Sequence, residues 1–206
     1  MSVQQKQKSI FDLHESAKEL LGLEGILEIS TKSPESLGVS LSAFNLTYQP
    51  ENSDKRYPLE SLFQSAKVFT DGGPYRDILS KPAREAKSDP RLTTSGRLVA
   101  FSSRDTTWPL VPRTAFYDWL YLNVLGHYPR LAEPLSMFGG FTDIEFNPKK
   151  SINCQAYSAA LFVALSERKL MAKAMKSKAA FLETLNEFSA SETTVETQGS
   201  YSLFDS

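Results

Sequence analysis

The sequence predicts an α+β fold, a mostly helical single domain with a few short strands. Three observations carry this expectation. Residues 112–125 and 151–165 are apolar nearly all round, as buried helices are. A shorter helix, opening after Tyr57-Pro58, divides into a polar face and an apolar stripe. Residues 25–30 and 39–48 alternate in the manner of strands. With 206 residues, 41% of them hydrophobic, the chain is long enough for one sizeable core.

The elements follow in order. Residues 1–9 are polar and expected to be a flexible N-terminus. Residues 10–21 place Phe11, Ala17, Leu20 and Leu21 at helical spacing, and Gly22 stops that helix. The strands over 25–30 and 39–48 come next, with a turn over 49–54. The two-faced helix runs over 59–70 and is ended by Asp71-Gly72-Gly73-Pro74. Short helices are expected over 75–79 and 82–87. The apolar helix over 112–125 carries Phe116, Trp119, Leu120, Leu122 and Val124, with Gly126 just past its end. The apolar helix over 151–165 carries Tyr157, Leu161 and Val163. A basic amphipathic helix is expected over 170–188. Residues 189–206 are rich in Ser, Thr and Glu and read as a disordered tail. The domain therefore spans 10–188.

Composition removes several classes of function. A net charge of -1 argues against a general nucleic-acid coat, though a local basic cleft is compatible with it. Cys154 is the single cysteine, so no internal disulfide forms, and no Cys/His set has zinc spacing. His14 and His127 read as surface or packing residues. No metal and no cofactor is expected. No apolar window is long enough to span a membrane, and the polar start has no apolar signal core. The cytoplasm is the default compartment.

The most informative stretch is Glu60-Ser61-Leu62-Phe63-Gln64-Ser65-Ala66-Lys67. At about 100° per residue, Glu60, Phe63, Gln64 and Lys67 share one stripe, and Leu59, Leu62, Ala66 and Phe69 another. An acid and an amine on one rigid face suit work on a glycosidic bond. From spacing alone, a solvated face with a Glu-to-Lys ion pair is the more ordinary reading.

The pattern E-x-x-F-Q-x-x-K after a proline resembles the signature helix of the NADAR family, the YbiA-like N-glycosidases. Leu41-Ser42-Ala43-Phe44 is similar to its L-S-x-F segment, and Ala83-Arg84-Glu85-Ala86-Lys87 to its Ala/Arg/Lys helix. Gly96-Arg97, then Arg104 with Trp108, resemble its G-R and Arg-then-Trp elements. Asp143 and Asn153 fall where the family has an Asp and then an Asn opening its last core helix. The resemblance covers residues 41–167, the core of the domain. It departs in two places. Phe141-Thr142-Asp143 stands where many members have W-G-D, and Asn153-Cys154-Gln155-Ala156 stands for N-x-L-G. Both departures fall on the far wall of the expected pocket.

The resemblance implies N-glycosidic hydrolysis. Glu60 becomes the acid–base group, Asp143 a ligand for ribose or water, and Lys67 either a nucleophile toward a ring-opened sugar imine or a phosphate holder. Gln64 is expected to orient ribose hydroxyls. Phe44 and Trp108 are placed to sandwich a base or sugar. Arg84, Arg97 and Arg104 are candidates for a pyrophosphate clamp, and Asn153 for a loop or phosphate contact at a helix start. Ordinary surface arginines, core aromatics and a turn aspartate are the plain alternatives for these residues. Asp118, the only charge within 115–122, needs a partner and has no assigned role.

The extra N-terminal helix and insertions over 71–75 and 90–95 make the chain most similar to the antitoxin branch. That branch removes ADP-ribose from guanine bases and opposes DarT-like ADP-ribosyltransferase toxins. The implied substrate is ADP-ribosylated guanine in DNA, with RNA or a free nucleoside as variants, and the implied partner is the cognate toxin. Three alternatives remain open: cleavage of ribosylaminouracil phosphate intermediates of riboflavin synthesis, non-catalytic sensing of ADP-ribose or NAD, and an antitoxin that works by binding its toxin protein directly. The basic segment with Lys169, Lys173, Lys176 and Lys178 suits toxin binding, nucleic acid or solubility alone.

Overall fold

The computed structural model describes residues 2–147 and 154–187. Asn153 and the tail over 189–206 lie outside the described residues. The fold is α+β, mostly helical with a few short strands. The chain divides into two compact units, Met1–Ala164 and Leu165–Ser206.

The first helix, α1, runs Val3–Leu21 rather than starting near Ile10. Residues 3–9, expected from the sequence to be a flexible start, are part of it. The cause is a capping box: the Ser2 hydroxyl accepts from Gln5 N at 3.2 Å, and Gln5 Oε1 accepts from Ser2 N at 2.9 Å. Gly22, at φ 66°, ends it as expected.

β1 (Ile26–Glu28) pairs in parallel with β7 (Gly140–Thr142). Its three residues are all buried, so the alternation in the sequence marks a strand without marking a solvent face. The strand expected over 39–48 is mostly absent. Residues Ser36–Leu41 form helix α2, and only Thr47–Tyr48 (β2) is extended, pairing with Tyr57–Pro58 (β3). Gly38 explains the close crossing of this helix. A Cβ there would collide with the Glu28 carbonyl oxygen, so α2 passes β1 at a distance only glycine allows. Tyr121 Oη donates to the Leu41 carbonyl at 3.0 Å and satisfies the end of α2.

Helix α3 (Leu59–Ser65) is shorter than the sequence predicts. It stops at Ala66, and Lys67–Phe69 become β4, the edge of an antiparallel sheet with β5 (Leu98–Ser103) and β6 (Thr106–Trp108). Val68 and Phe69 favour the extended state, and the β5 ladder overrides the helical period. The β5–β6 hairpin has no counterpart in the sequence analysis. Arg104 sits in its turn with φ 49°. A 3-10 helix (Arg76–Ser80), α4 (Ala83–Lys87) and α5 (Arg91–Thr94) lie between β4 and β5.

Helix α6 (Ala115–Gly126) is buried nearly throughout, as its all-round apolar pattern predicts. Phe63 of α3, Phe101 of β5 and Phe116 of α6 stack in series, with centroids 5.3 and 4.9 Å apart. This ladder fixes α3 on the core. After α6 come α7 (Pro129–Ala132), a 3-10 turn (Glu133–Met137) and β7.

Helix α8 spans Gln155–Glu167. In the second unit, the helix expected over 170–188 is broken into α9 (Met171–Ala174) and a further helical run over 178–187. Ser177 makes the break: its hydroxyl accepts from Ala180 N at 3.1 Å and caps the new helix. Lys173 pairs with Glu187 at 3.1 Å.

Asp118 has its partner. The Ser158 hydroxyl donates to Asp118 Oδ1 at 2.7 Å. Burial nevertheless pushes its carboxyl up to about 6, a shift that the Ser158 and Thr114 hydroxyls oppose. The proton therefore binds the folded state more tightly than the unfolded one. This group's contribution to stability is full below its unfolded value near 4 and is lost as pH rises through about 6. Above that, the buried charge costs about 3 kcal/mol. Asp118→Asn is expected to flatten the pH dependence of the unfolding free energy between about pH 4 and 7, as checked by denaturant titration across that range. An unchanged slope would contradict this.

Candidate functional site

The loop before α3 builds the site's floor. Helix starts leave backbone N–H groups without intrahelical partners. Here the Ala43 carbonyl takes Glu60 N at 2.9 Å, and the Leu46 carbonyl takes Leu59 N at 2.8 Å. The L-S-x-F segment thus fixes the first turn of α3, where Glu60 sits. Glu60 is only 6% exposed and Gln64 5%, so their face is not a solvated one. Gln64 Nε2 donates to Glu60 Oε1 at 2.8 Å, while Gln64 Oε1 is buried with no partner. A buried acceptor left open is costly, and a donor on a bound molecule would satisfy it.

Lys67 reaches the same place from β4. Its ammonium lies 5.0 Å from the centre of the Phe63 ring. Among the described residues, no ion pair joins it to Glu60 or any other carboxylate. Burial holds the Lys67 ammonium below the usual lysine range. Glu60 opposes that shift and Lys87 adds to it. A larger share of this amine is therefore neutral, and able to act as a nucleophile, than in an exposed lysine.

Asp143 stands just past β7. Its Oδ1 accepts from Glu145 N at 3.0 Å, and its Oδ2 from Gln155 Nε2 at 2.9 Å. Burial raises its carboxyl above the ordinary range; the Gln155 amide counters this, and the Glu28 charge adds to it. The other end of the Gln155 amide takes Ala43 N, so one side chain ties the Asp143 loop to the floor beneath Glu60. Tyr117 of α6 packs edge-on against Phe63 at 5.1 Å. Its hydroxyl is held well above the normal tyrosine range by burial and by the Glu60 charge.

These groups open into one cavity of about 1170 Å³. Phe44, Glu60, Gln64, Lys67, Asp143, Arg84 and Arg97 all line it. So do Lys6, Lys32, Lys87 and Arg113, and basic groups outnumber the carboxylates there although the whole chain is slightly acidic. Lys87 Nζ lies 5.3 Å from the Phe44 ring centre. Two expected residues are elsewhere. Trp108 is 1% exposed in the core, 5.7 Å from Phe116 and 5.0 Å from Trp119 between ring centres. Its alternate position on β6 turns it inward, so it does not face Phe44 across the cavity. Arg104 is carried away by the hairpin turn and reaches Tyr48 Oη at 3.4 Å.

Tyr117, Gln155, Lys87 and Arg113 also line the cavity, beyond the residues expected from the sequence. Lys87 lies inside the Ala/Arg/Lys segment, and Gln155 lies at a departure from the family pattern, so both carried a signal. Among the described residues, no cluster of three or more His, Cys, Asp or Glu side chains is suited to a metal ion, and no helix is long and apolar enough to cross a membrane.

The arrangement separates the arginines. Arg97→Ala and Arg84→Ala are expected to raise KM for a diphosphate-bearing substrate by about tenfold each. Arg104→Ala, outside the cavity, is expected to leave kcat/KM unchanged. Steady-state kinetics on the three variants checks this, and an Arg104 effect as large as the other two would contradict it.

Fold and cavity define a protein built around a large basic-lined pocket that brings together a buried acid, an amine and a second acid. The chain belongs to the family of DarT1-associated NADAR antitoxins, whose family model matches residues 1–195. A comparison with curated proteins gave no match.

Proposed function

We propose that this cavity hydrolyses the N-glycosidic bond joining ADP-ribose to a guanine base in nucleic acid, and so reverses the mark left by a DarT-like toxin. The observation that carries the reading is the meeting of Glu60 with a lysine of weakened basicity inside a basic-lined cavity. The volume and the positive lining suit an adduct with two phosphates on a polyanion. A free ribosylaminouracil phosphate needs neither.

The chemistry follows from the groups present. A sugar joined through C1 to an exocyclic amine is a glycosylamine and opens to an imine. The neutral Lys67 amine adds to C1. The bond from C1 to the base nitrogen then breaks, and the two protons lost by Nζ reach that nitrogen, relayed by Glu60, so that the base leaves with its free amine. Water adds to the resulting lysine imine, and free ADP-ribose leaves. Asp143 binds the ribose or orients the water. Gln64 Oε1 takes a ribose hydroxyl, and Phe44 packs on the sugar or base.

The test is to incubate the protein separately with an ADP-ribosyl-guanine oligonucleotide and with a ribosylaminouracil phosphate. Loss of sugar from the first alone is expected. Turnover of the second alone, or binding of ADP-ribose with no turnover of either, would overturn the proposal in favour of the metabolic glycosidase or the sensor.

A further inference from the structure

Glu28 lies outside the family-like motifs of the sequence and is 1% exposed at the end of β1. In the parallel pairing it stands opposite Thr142. Its carboxylate takes two hydrogen bonds there: Oε1 from Ile144 N at 2.8 Å and Oε2 from the Thr142 hydroxyl at 2.6 Å. Those donors belong to the residues on either side of Asp143, so one buried carboxylate grips both flanks of the candidate catalytic acid. Just past the strand, Ile29 N holds the Thr142 carbonyl at 2.8 Å. His14 Nε2 lies 2.9 Å from Thr142 Oγ1. With the hydroxyl hydrogen directed to Glu28, that oxygen accepts from His14, which makes Nε2 the protonated ring nitrogen.

We propose that Glu28 is a positioning residue that sets both the place and the charge state of Asp143. This rests on the reading of Asp143 as a working group of the cavity. A neutral amide could hold the same backbone, so the retained buried charge needs a further reason. Burial makes Asp143 harder to ionise, the Gln155 amide opposes this, and the Glu28 carboxylate close by works in the same direction as burial. Among the described residues, the other titratable groups around Asp143 include Tyr117 and Tyr121 of α6, Cys154 beside α8, Glu145 in its own loop with Lys6 of α1 paired to it, and Glu60 and Lys67 on the same cavity. His14 faces Glu28 from α1. None of these supplies a full negative charge on the same pair of flanking residues.

The test uses the full chain and does not depend on the substrate. The Asp143 carboxyl is titrated by carbon NMR in the wild type and in Glu28→Gln, and amide exchange at Ile144 is followed in both and in Glu28→Ala. In Glu28→Gln, Asp143 is expected to titrate at lower pH, because the like charge is gone, with Ile144 still protected by the amide oxygen. In Glu28→Ala, exchange at Ile144 should speed up, and kcat/KM on the ADP-ribosyl-guanine oligonucleotide should fall about tenfold or more. If Glu28→Ala does not fold, the Glu28→Gln titration decides alone. An Asp143 titration that is identical in wild type and Glu28→Gln overturns the proposal. Wild-type turnover in Asp143→Asn would instead remove Asp143 from the reaction, and the titration would still decide whether Glu28 sets its charge state.

Discussion

Lys67→Ala is expected to lower kcat on an ADP-ribosyl-guanine oligonucleotide by roughly 10²- to 10⁴-fold, the range for losing a positioned group that reacts or moves protons. Lys67→Arg is expected to fall as far. The guanidinium keeps the charge but stays protonated and forms no imine at neutral pH. Borohydride added during wild-type turnover should leave the sugar attached at Lys67. The pH dependence has a defined sign. Burial holds the Lys67 ammonium below its usual range, so the neutral amine accumulates as pH rises through that lowered value, and the rate of trapping should rise with it. Near-normal turnover in Lys67→Arg with no trapped adduct would make the lysine a phosphate holder and leave Glu60 to act alone on a water.

Glu60→Gln is expected to cost a similar roughly 10²- to 10⁴-fold in kcat while substrate affinity holds. The amide keeps the shape and an acceptor for Gln64 Nε2, which now bonds Glu60 Oε1 at 2.8 Å. It loses proton transfer and charge. The charge has a second effect, because Glu60 raises the proton affinity of Lys67. Its removal should move the Lys67 trapping profile to lower pH even as turnover collapses. Isothermal titration for affinity and borohydride trapping against pH separate the two effects. A variant that binds tenfold more weakly but turns over normally would make Glu60 a binding group only.

Part of this arrangement was legible in the sequence, for physical reasons. Helix α6 is apolar on every side, so its pattern could only mean burial. Glu60, Phe63 and Gln64 fall on one stripe because the helical period holds across α3. Lys67 shares that stripe in the sequence and meets Glu60 in the cavity, but by another route. The helix ends at Ala66, and the β5 ladder, a long-range pairing invisible to local periodicity, delivers the lysine from a strand. The same hairpin sends Arg104 to its turn and Trp108 into the core. Glu28 is hidden between Leu27 and Ile29 at the end of a short strand, where nothing local marks a carboxylate that works across a parallel pairing. Gln155 and Thr142 stand at the two departures from the family pattern. Both hold the Asp143 loop through side-chain hydrogen bonds, to Glu28 and to Asp143 itself. Asp118 could be predicted to need a partner, but Ser158, forty residues away, came only with the fold.

The central claim is that the cavity breaks the bond between the sugar and the base. Mass spectrometry of an ADP-ribosyl-guanine oligonucleotide after incubation with the protein tests it most directly. The expected product is an oligonucleotide restored to the mass of its unmodified sequence, together with one equivalent of intact ADP-ribose. An oligonucleotide that keeps the whole adduct, or that keeps a ribose phosphate while AMP is released, would contradict it.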